Sequence, residues 1–117
     1  MIVKRDPLET IDFHGLKILD YTADRDTTSS FAVIHVPAGS RHPEAWSKRS
    51  KKYYYINSGT VEFTLDGEKH VLVSGDFCIV PIGEHFSYRN TSGETAILHL
   101  MHTPGFDIES EVFLEEG

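Results

Sequence analysis

The chain has 117 residues and a net charge of −7 at neutral pH, with 39% hydrophobic, 25% charged and 11% aromatic residues. This length suits one domain with a single core, and the negative charge argues against a general nucleic-acid binder, whose affinity depends on neutralising phosphates. A single cysteine, Cys78, excludes an intrachain disulfide and a cysteine zinc cluster. Without an N-terminal signal pattern or an apolar run of ~20 residues, we expect a cytoplasmic protein with no membrane partner.

Short extended segments alternate with turn signals along the whole chain, which predicts an all-β sandwich or barrel. The strands predicted before Pro37 are Met1–Arg5 at an edge, Thr10–His14, Leu16–Thr22 and Ser30–Val36. Those predicted after Gly59 are Thr60–Leu65, Glu68–Val73, Phe77–Val80, Phe86–Asn90 and Glu94–His102. Asp66-Gly67 predicts a tight hairpin, because a type I′ turn needs positive φ at both central positions. No helix longer than about two turns is expected.

The segment between these two groups of strands, PAGSRHPEAWSKRSKKYYYINSG, resembles a known family motif. Gly39 and Gly59 have the spacing of the two glycines in the first motif of the cupin superfamily, and the second motif is matched by Gly75, Pro81, Gly83 and Asn90. KKYYYINSGTVEFTLDGE and GDFCIVPIGEHFSYRN also look like hairpins of small, mannose-6-phosphate-isomerase-like cupins. The resemblance implies a double-stranded β-helix barrel of jelly-roll type, with two antiparallel sheets.

This resemblance also divides the chain. It implies a single cupin domain over residues 1–117, with the barrel at about residues 30–105 and N-terminal strands within residues 1–29. Residues 106–117 are acidic and alternate poorly, so we predict an arm packed across the barrel or a neighbouring subunit. The resemblance, together with the segment AILHLM, which is apolar on both faces, predicts a homodimer.

The positions that carry metal ligands in the family hold other residues here. Carried over onto this sequence, these positions fall on Ala45, Ser47, Lys52 and Phe86. None of the four supplies an imidazole or a carboxylate, and Lys52 would place a cation where the metal lies. We therefore predict a metal-independent protein without a cofactor.

A displaced metal site is the alternative. His42, His85 and His99 could form it, but His85 would have to slip by one residue within its strand to face inward. The remaining strand histidines, His35, His70 and His102, are predicted to lie on the surface or in a strand without a role in the site.

The residues that replace the metal are themselves candidates for ligand binding. Lys52 and Tyr54 share the strand face that lines the barrel in the family; Lys52 could bind an anion or be neutralised by an internal ion pair, for example with Glu62. The predicted ligand-binding residues are Lys52, Tyr54, Phe86, Tyr88, His99, Ser47 and Trp46. The candidate catalytic residues are His85, His42 and Tyr54, since imidazole transfers protons near neutral pH.

Functions of two classes fit this pattern. The first is a barrel that binds a small polar or anionic molecule, such as a sugar or a carboxylate, in a non-catalytic or sensing role. The second is a metal-independent isomerase or epimerase of a sugar-like substrate, while the displaced histidine site would instead give a metal-dependent enzyme. In each case the partner is a small molecule rather than nucleic acid or membrane.

Overall fold

The computed structural model describes residues 1–114, which form two antiparallel β-sheets facing each other. The strands are β1 Ile11–Phe13, β2 Leu16–Asp20, β3 Ser30–Val36, β4 Arg41–Ser47, β5 Lys51–Ser58, β6 Thr60–Leu65, β7 Glu68–Val73, β8 Phe77–Val80, β9 Phe86–Arg89, β10 Ala96–Thr103 and β11 Glu111–Phe113. One sheet has the order β1-β2-β3-β10-β5-β8, and the other β11-β4-β9-β6-β7. The predicted all-β barrel of two antiparallel sheets is confirmed.

Period-two alternation explains how these strands enclose a core. In β3, Ala32, Ile34 and Val36 are buried while the residues between them are partly exposed, and β6 alternates in the same way. Successive side chains of a strand point to opposite faces, so each strand contributes one apolar row to the interior. The bulkiest fully buried side chains are those of Tyr54, Tyr88, Phe63 and Phe86.

Two turns fix the register of the barrel. Asp66 and Gly67 have φ values of 50° and 80°, and Leu65 pairs with Glu68 on either side of them, so the predicted hairpin is confirmed. Gly59 has a φ of 83°, and a Cβ at this position would lie 2.7 Å from Ala96 Cα. β5 and β10 can therefore approach each other here only because residue 59 is a glycine.

The two ends of the chain differ in how they join the barrel. The edge strand predicted over Met1–Arg5 is wrong: these residues form no strand, and Met1 and Ile2 are 98% and 84% exposed. The predicted C-terminal arm contains a 3-10 turn, Ile108–Ser110, followed by β11, which pairs with β4. Its last three residues, 115–117, lie outside the described part of the chain. Within residues 1–114, no helix has the length and apolar character that crossing a membrane requires.

Candidate functional site

A cavity of about 220 Å³ lies between the sheets, beside the C-terminal segment. Most of its wall is apolar and comes from β1, β2, β3, β10 and the C-terminal segment. The polar side chains in the wall are Asp20, Ser30, His42, Lys52, Tyr54, His102 and Glu111. A largely apolar concavity with a few convergent polar groups is the usual form of a small-molecule site.

Lys52 is at the centre of a buried polar cluster. Its side chain is 3% exposed and forms an ion pair with Glu111 Oε1, and its Nζ lies 2.8 Å from His102 Nε2. An ammonium group only donates, so His102 Nε2 accepts and its imidazole is neutral. Burial, with the charge of Lys52, lowers the pKa of His102 to about 3. Burial also lowers the pKa of Lys52, and Glu111 opposes that shift.

The suggested ion pair between Lys52 and Glu62 is wrong. Glu62 projects from the opposite face of β6 and pairs with Arg89 and Lys69 on the outside of the barrel. The partner of Lys52 is Glu111, because the pairing of β11 with β4 brings the C-terminal segment close to the start of β5.

His42 lies among aromatic rings at the edge of the cavity. Its ring centroid is 5.0 Å from that of Phe86 and 5.2 Å from that of Tyr88. Burial lowers the pKa of His42 to about 4, so the ring is neutral at pH 7. Nδ1 lies 2.7 Å from the carbonyl oxygen of Pro43. Because a carbonyl only accepts, Nδ1 carries the proton and Nε2 keeps the lone pair of a base.

Tyr88 packs against this imidazole, and Tyr54 packs against Tyr88. Their rings are buried, with centroids 5.6 Å apart. Burial raises the pKa of both hydroxyls, so both are neutral hydrogen-bond donors at pH 7. Glu111 Oε2, in the cavity wall, is buried without a hydrogen-bond partner among the described residues. Tyr88 Oη makes no hydrogen bond of ordinary geometry there either, although the Tyr54 hydroxyl interacts with it. Since buried polar atoms are almost always paired, Glu111 Oε2 is an unsatisfied acceptor of the cavity.

Several predicted site residues lie away from the cavity. His85 and Trp46 are stacked outside the barrel, their centroids 6.0 Å apart, and His85 Nδ1 is 3.1 Å from Glu44 Oε2. His99 is on the outer face of β10 and packs against Phe31 and Tyr55. Strand alternation explains the outward positions of His85 and His99. His85 directly precedes the buried Phe86, and His99 lies between the buried Leu98 and Leu100.

Ser47 and Phe86 face inward, but neither offers a free polar group. Ser47 is buried, and its hydroxyl accepts a hydrogen bond of 2.9 Å from the backbone N–H of Ser50. Phe86 packs in the core, with its ring centroid 5.6 Å from Lys52 Nζ. Ser47 therefore stabilises a turn, and Phe86 forms part of the floor beneath the Lys52 cluster.

The residues at the family's metal positions do not fit a divalent ion. Ala45 and Phe86 are apolar, the Ser47 hydroxyl is used in a turn, and Lys52 is a paired cation. The alternative triad does not assemble, since His42 lies inside while His85 and His99 are on outer faces of different sheets. Within residues 1–114, no three His, Cys, Asp or Glu side chains are placed to hold a metal ion.

The two residues that contact Lys52, His102 and Glu111, were not among the site residues predicted from the sequence. His102 shares its strand face with the buried Leu98 and Leu100, but AILHLM is apolar on both faces and its alternation does not identify the inner one. Glu111 is one of several acidic residues in the tail, and no local pattern distinguishes it. Its position depends on the register in which Glu111 opposes Ser47.

The sequence matches known proteins over the barrel. A model of the cupin domain matches residues 32–102. The chain is 32% identical over 76 residues, 63% of its length, to quercetin 2,3-dioxygenase of Bacillus subtilis (strain 168), and this match covers 23% of that protein. It is 36% identical over 62 residues, 53% of its length, to an uncharacterized protein of Aquifex aeolicus (strain VF5), covering 50% of it. The chain thus spans at most about half the length of these relatives.

Solved structures extend the match to nearly the whole chain. The structure of Pac13, a nucleoside dehydratase from Streptomyces, aligns with a TM-score of 0.86 and 22% identity over 98% of this chain and 91% of that one. Similar alignments are found for Pac13 variants with uridine, in which a histidine is changed to glutamine or a tyrosine to phenylalanine. KdgF from Halomonas sp. aligns with a TM-score of 0.78 and 17% identity over 92% of this chain and 96% of that one. At these identities the alignments show a shared fold.

Proposed function

The chain belongs to the cupin family, and we propose that it is a metal-independent lyase that removes water from a small hydroxylated molecule, such as a nucleoside derivative or a sugar. The observation that carries this proposal is the neutral imidazole of His42, whose Nε2 is an unprotonated base at the edge of the cavity. The neutral phenol of Tyr54 lines the same cavity, and that of Tyr88 packs against both residues. A base and hydrogen-bond donors around one cavity are the groups that proton abstraction next to a carbonyl requires.

The charges around the cavity favour an uncharged ligand over the anion considered from the sequence. Lys52 is the cation in the cavity wall, and Glu111 neutralises it. His42 and His102 are neutral at pH 7, while Asp20 adds a negative charge. Among the described lining residues no positive charge is left to compensate a phosphate or carboxylate, whose burial would then be costly. Hydroxyl groups, in contrast, can both donate to and accept from the polar groups present.

The proposed reaction is an elimination without redox change. His42 Nε2 takes a proton from the carbon next to a carbonyl, and the C–H electron pair forms an enolate. Its carbonyl oxygen accepts a hydrogen bond from Tyr54 or Tyr88. The electrons then form a carbon–carbon double bond as the hydroxyl on the adjacent carbon leaves, and that hydroxyl departs as water with the proton carried by His42. The shared fold with a nucleoside dehydratase, whose histidine and tyrosine variants were studied with uridine, supports this reaction class.

Two experiments on His42 test the proposal. Wild-type protein and His42→Gln would be incubated with a panel of hydroxylated aldehydes and ketones, including a nucleoside aldehyde, and the loss of one water would be followed by mass spectrometry. The same incubations in D₂O would report proton exchange next to the carbonyl by NMR. We expect both signals from the wild type and at least a hundredfold decrease in His42→Gln, since general acid–base catalysis contributes about 10²–10⁴-fold.

His85→Gln is the matched control, because this histidine lies outside the barrel. It should react like the wild type. If the wild type exchanges protons without losing water, the protein is an isomerase or epimerase instead of a lyase, since those reactions begin with the same proton transfer. If it binds these molecules but gives neither signal, it is a non-catalytic binding protein. A fully active His42→Gln would refute the proposed role of His42.

We further propose that two copies of the chain associate through the outer face of the sheet formed by β3, β10, β5 and β8. Tyr55, Phe77, Ile79 and Met101 on this face are 40–56% exposed. None of the four strands contains an acidic residue, although the chain carries a net charge of −7. The electrostatic repulsion between two negatively charged copies would therefore be smallest at this face. Association there would also bury exposed apolar side chains.

Light scattering coupled to size-exclusion chromatography tests the dimer. The wild type should have twice the mass of one chain, and Ile79→Lys should be monomeric. Val71→Lys is the matched control, since Val71 is 69% exposed but lies in β7 of the other sheet. A monomeric wild type, or a dimer that Val71→Lys disrupts and Ile79→Lys does not, would refute this interface.

A further inference from the structure

One polar atom of the cavity has no function in the proton transfer proposed above. Glu111 Oε1 is bound by Lys52, whereas Oε2 is buried and unpartnered among the described residues, and the side chain as a whole is 3% exposed. A carboxylate oxygen removed from water without a partner destabilises the protein, so its retention calls for another role. We infer that Glu111 Oε2 accepts a hydrogen bond from a hydroxyl of the bound ligand and makes the cavity selective for hydroxylated molecules.

The carboxylate is held in a fixed orientation. Lys52 binds its other oxygen, and His102 fixes the ammonium group from a second side at 2.8 Å. The rings of Phe86 and Phe106 lie 5.6 and 5.9 Å from Lys52 Nζ. With Oε1 engaged, the lone pairs of Oε2 keep a fixed orientation relative to the cavity. Lys52 and His102 are thus positioning residues for Glu111.

The backbone of the C-terminal segment is fixed as well. Glu111 opposes Ser47 in the ladder between β11 and β4, and hydrogen bonds close both ends of this pairing. Lys48 N–H donates to Ser110 O at 2.8 Å, and Leu114 N–H donates to Glu44 O at 2.9 Å. The segment that appeared from sequence to be an acidic arm therefore supplies one wall of the ligand site, and the site is incomplete without it.

The surroundings of Oε2 indicate the chemical class of its partner. A carboxylate only accepts hydrogen bonds, so the ligand must present a donor. An ammonium group on the ligand would lie near Lys52 and be repelled by it, and an anion would be repelled by Glu111 itself. A neutral hydroxyl avoids both repulsions.

A cycle of ligand and protein changes tests this inference, which rests on the proposed function for the class of ligand. Uridine and its 2′-, 3′- and 5′-deoxy analogues would be titrated into wild-type protein, Glu111→Ala and Glu111→Gln by calorimetry. We expect Glu111→Ala to weaken uridine binding at least tenfold. One deoxy analogue should bind the wild type at least tenfold more weakly than uridine, and the substitution should then cause no further loss.

Glu109→Ala is the matched control, because Glu109 is an exposed glutamate in the same segment. It should bind all four ligands like the wild type. If Glu111→Ala does not fold, Glu111→Gln, which keeps the shape of the side chain, takes its place and should show the same pattern with smaller losses.

The possible outcomes separate this inference from the proposed lyase. Equal losses for uridine and every deoxy analogue would mean a structural role for Glu111 and would overturn the inference while leaving the lyase intact. Coupling between Glu111 and one hydroxyl, together with an active His42→Gln, would support the inference and refute the lyase mechanism. If neither uridine nor a panel of neutral sugars binds the wild type at millimolar concentration, the inference is wrong, and so is the proposed ligand class.

Discussion

Lys52 in β5 and His102 in β10 oppose each other directly in the antiparallel ladder, with Lys52 Nζ 2.8 Å from His102 Nε2 inside the barrel. Cross-strand neighbours on one face are the closest side-chain pairs in a sheet. The ladder therefore places a neutral acceptor beside a buried cation, and β11 adds the carboxylate of Glu111. This cluster lies in the wall of the cavity.

Removing Lys52 should destabilise the protein strongly. Lys52→Met would leave the Glu111 carboxylate buried without its cation, and we expect the free energy of unfolding in urea to fall by about 3–5 kcal/mol. The double variant Lys52→Met/Glu111→Leu should recover most of this loss, because no buried charge remains. Lys17→Met, which removes an exposed ion pair with Asp12, is the control and should cost far less, because solvent screens the pair. Equal losses for Lys52→Met and Lys17→Met would contradict the buried cluster.

Tyr88→Phe should separate stability from ligand binding. The substitution removes a buried hydroxyl that makes no hydrogen bond of ordinary geometry among the described residues, although the Tyr54 hydroxyl interacts with it. Because losing this weak interaction and relieving the desolvation of the hydroxyl oppose each other, we expect the free energy of unfolding to change by less than about 1 kcal/mol. Uridine binding, measured by calorimetry, should weaken in the same variant. A variant that loses stability and binds uridine normally would show that the hydroxyl has a structural partner.

Stability should fall with decreasing pH between about pH 6.5 and pH 3–4. Burial holds the pKa of His42 at about 4 and that of His102 at about 3, both below the ordinary value of 6.5. Above pH 6.5 both rings are neutral in the folded and unfolded chain, so they add no pH dependence. Below it the unfolded chain binds protons that the folded chain excludes, and each ring contributes a slope of up to about 1.4 kcal/mol per pH unit.

Urea unfolding at a series of pH values would measure this slope. The double variant His42→Gln/His102→Gln should have a shallower slope than the wild type in this window. His70→Gln, on the exposed strand β7, is the control and should leave the slope close to that of the wild type. If the double variant and the wild type had the same slope, neither buried imidazole would be the source of the pH dependence.

Gly59→Ala should destabilise the protein much more than Gly67→Ala. Both glycines have a φ near 80°, so an alanine is strained by about 1–2 kcal/mol at either position. Only at position 59 would the new Cβ also meet neighbouring atoms, with Ala96 Cα at 2.7 Å and Thr95 O at 3.2 Å. We expect thermal unfolding to show a loss of about 1 kcal/mol for Gly67→Ala and of about 3 kcal/mol or more for Gly59→Ala. Similar losses would mean that β5 and β10 can separate at this point.

The sequence by itself determined the barrel and the inward position of Lys52 and Tyr54. Alternation with a period of two assigns each strand a buried face, and the glycines and prolines at turns report local backbone conformation. Both signals are local, so they can be read from one stretch of chain. The same parity places Tyr88 on the inner face. His42 is three residues from the buried Ala45, so it reaches the cavity only through the irregular pairing of β4 with β9 between these two residues. His99 was assigned to the wrong face because β10 is apolar on both sides.

Only the tertiary structure decided which groups meet inside the barrel. Lys52 and Glu111 are 59 residues apart, and Lys52 and His102 are 50 apart. Their contacts depend on the registers of β5 with β10 and of β4 with β11, which result from packing over the whole molecule. From the sequence, Glu62 and Glu111 are equally plausible partners for Lys52, because the residues around a glutamate do not indicate which strand will pack against it. The burial that lowers the pKa of His42 and His102 is likewise a property of the assembled core.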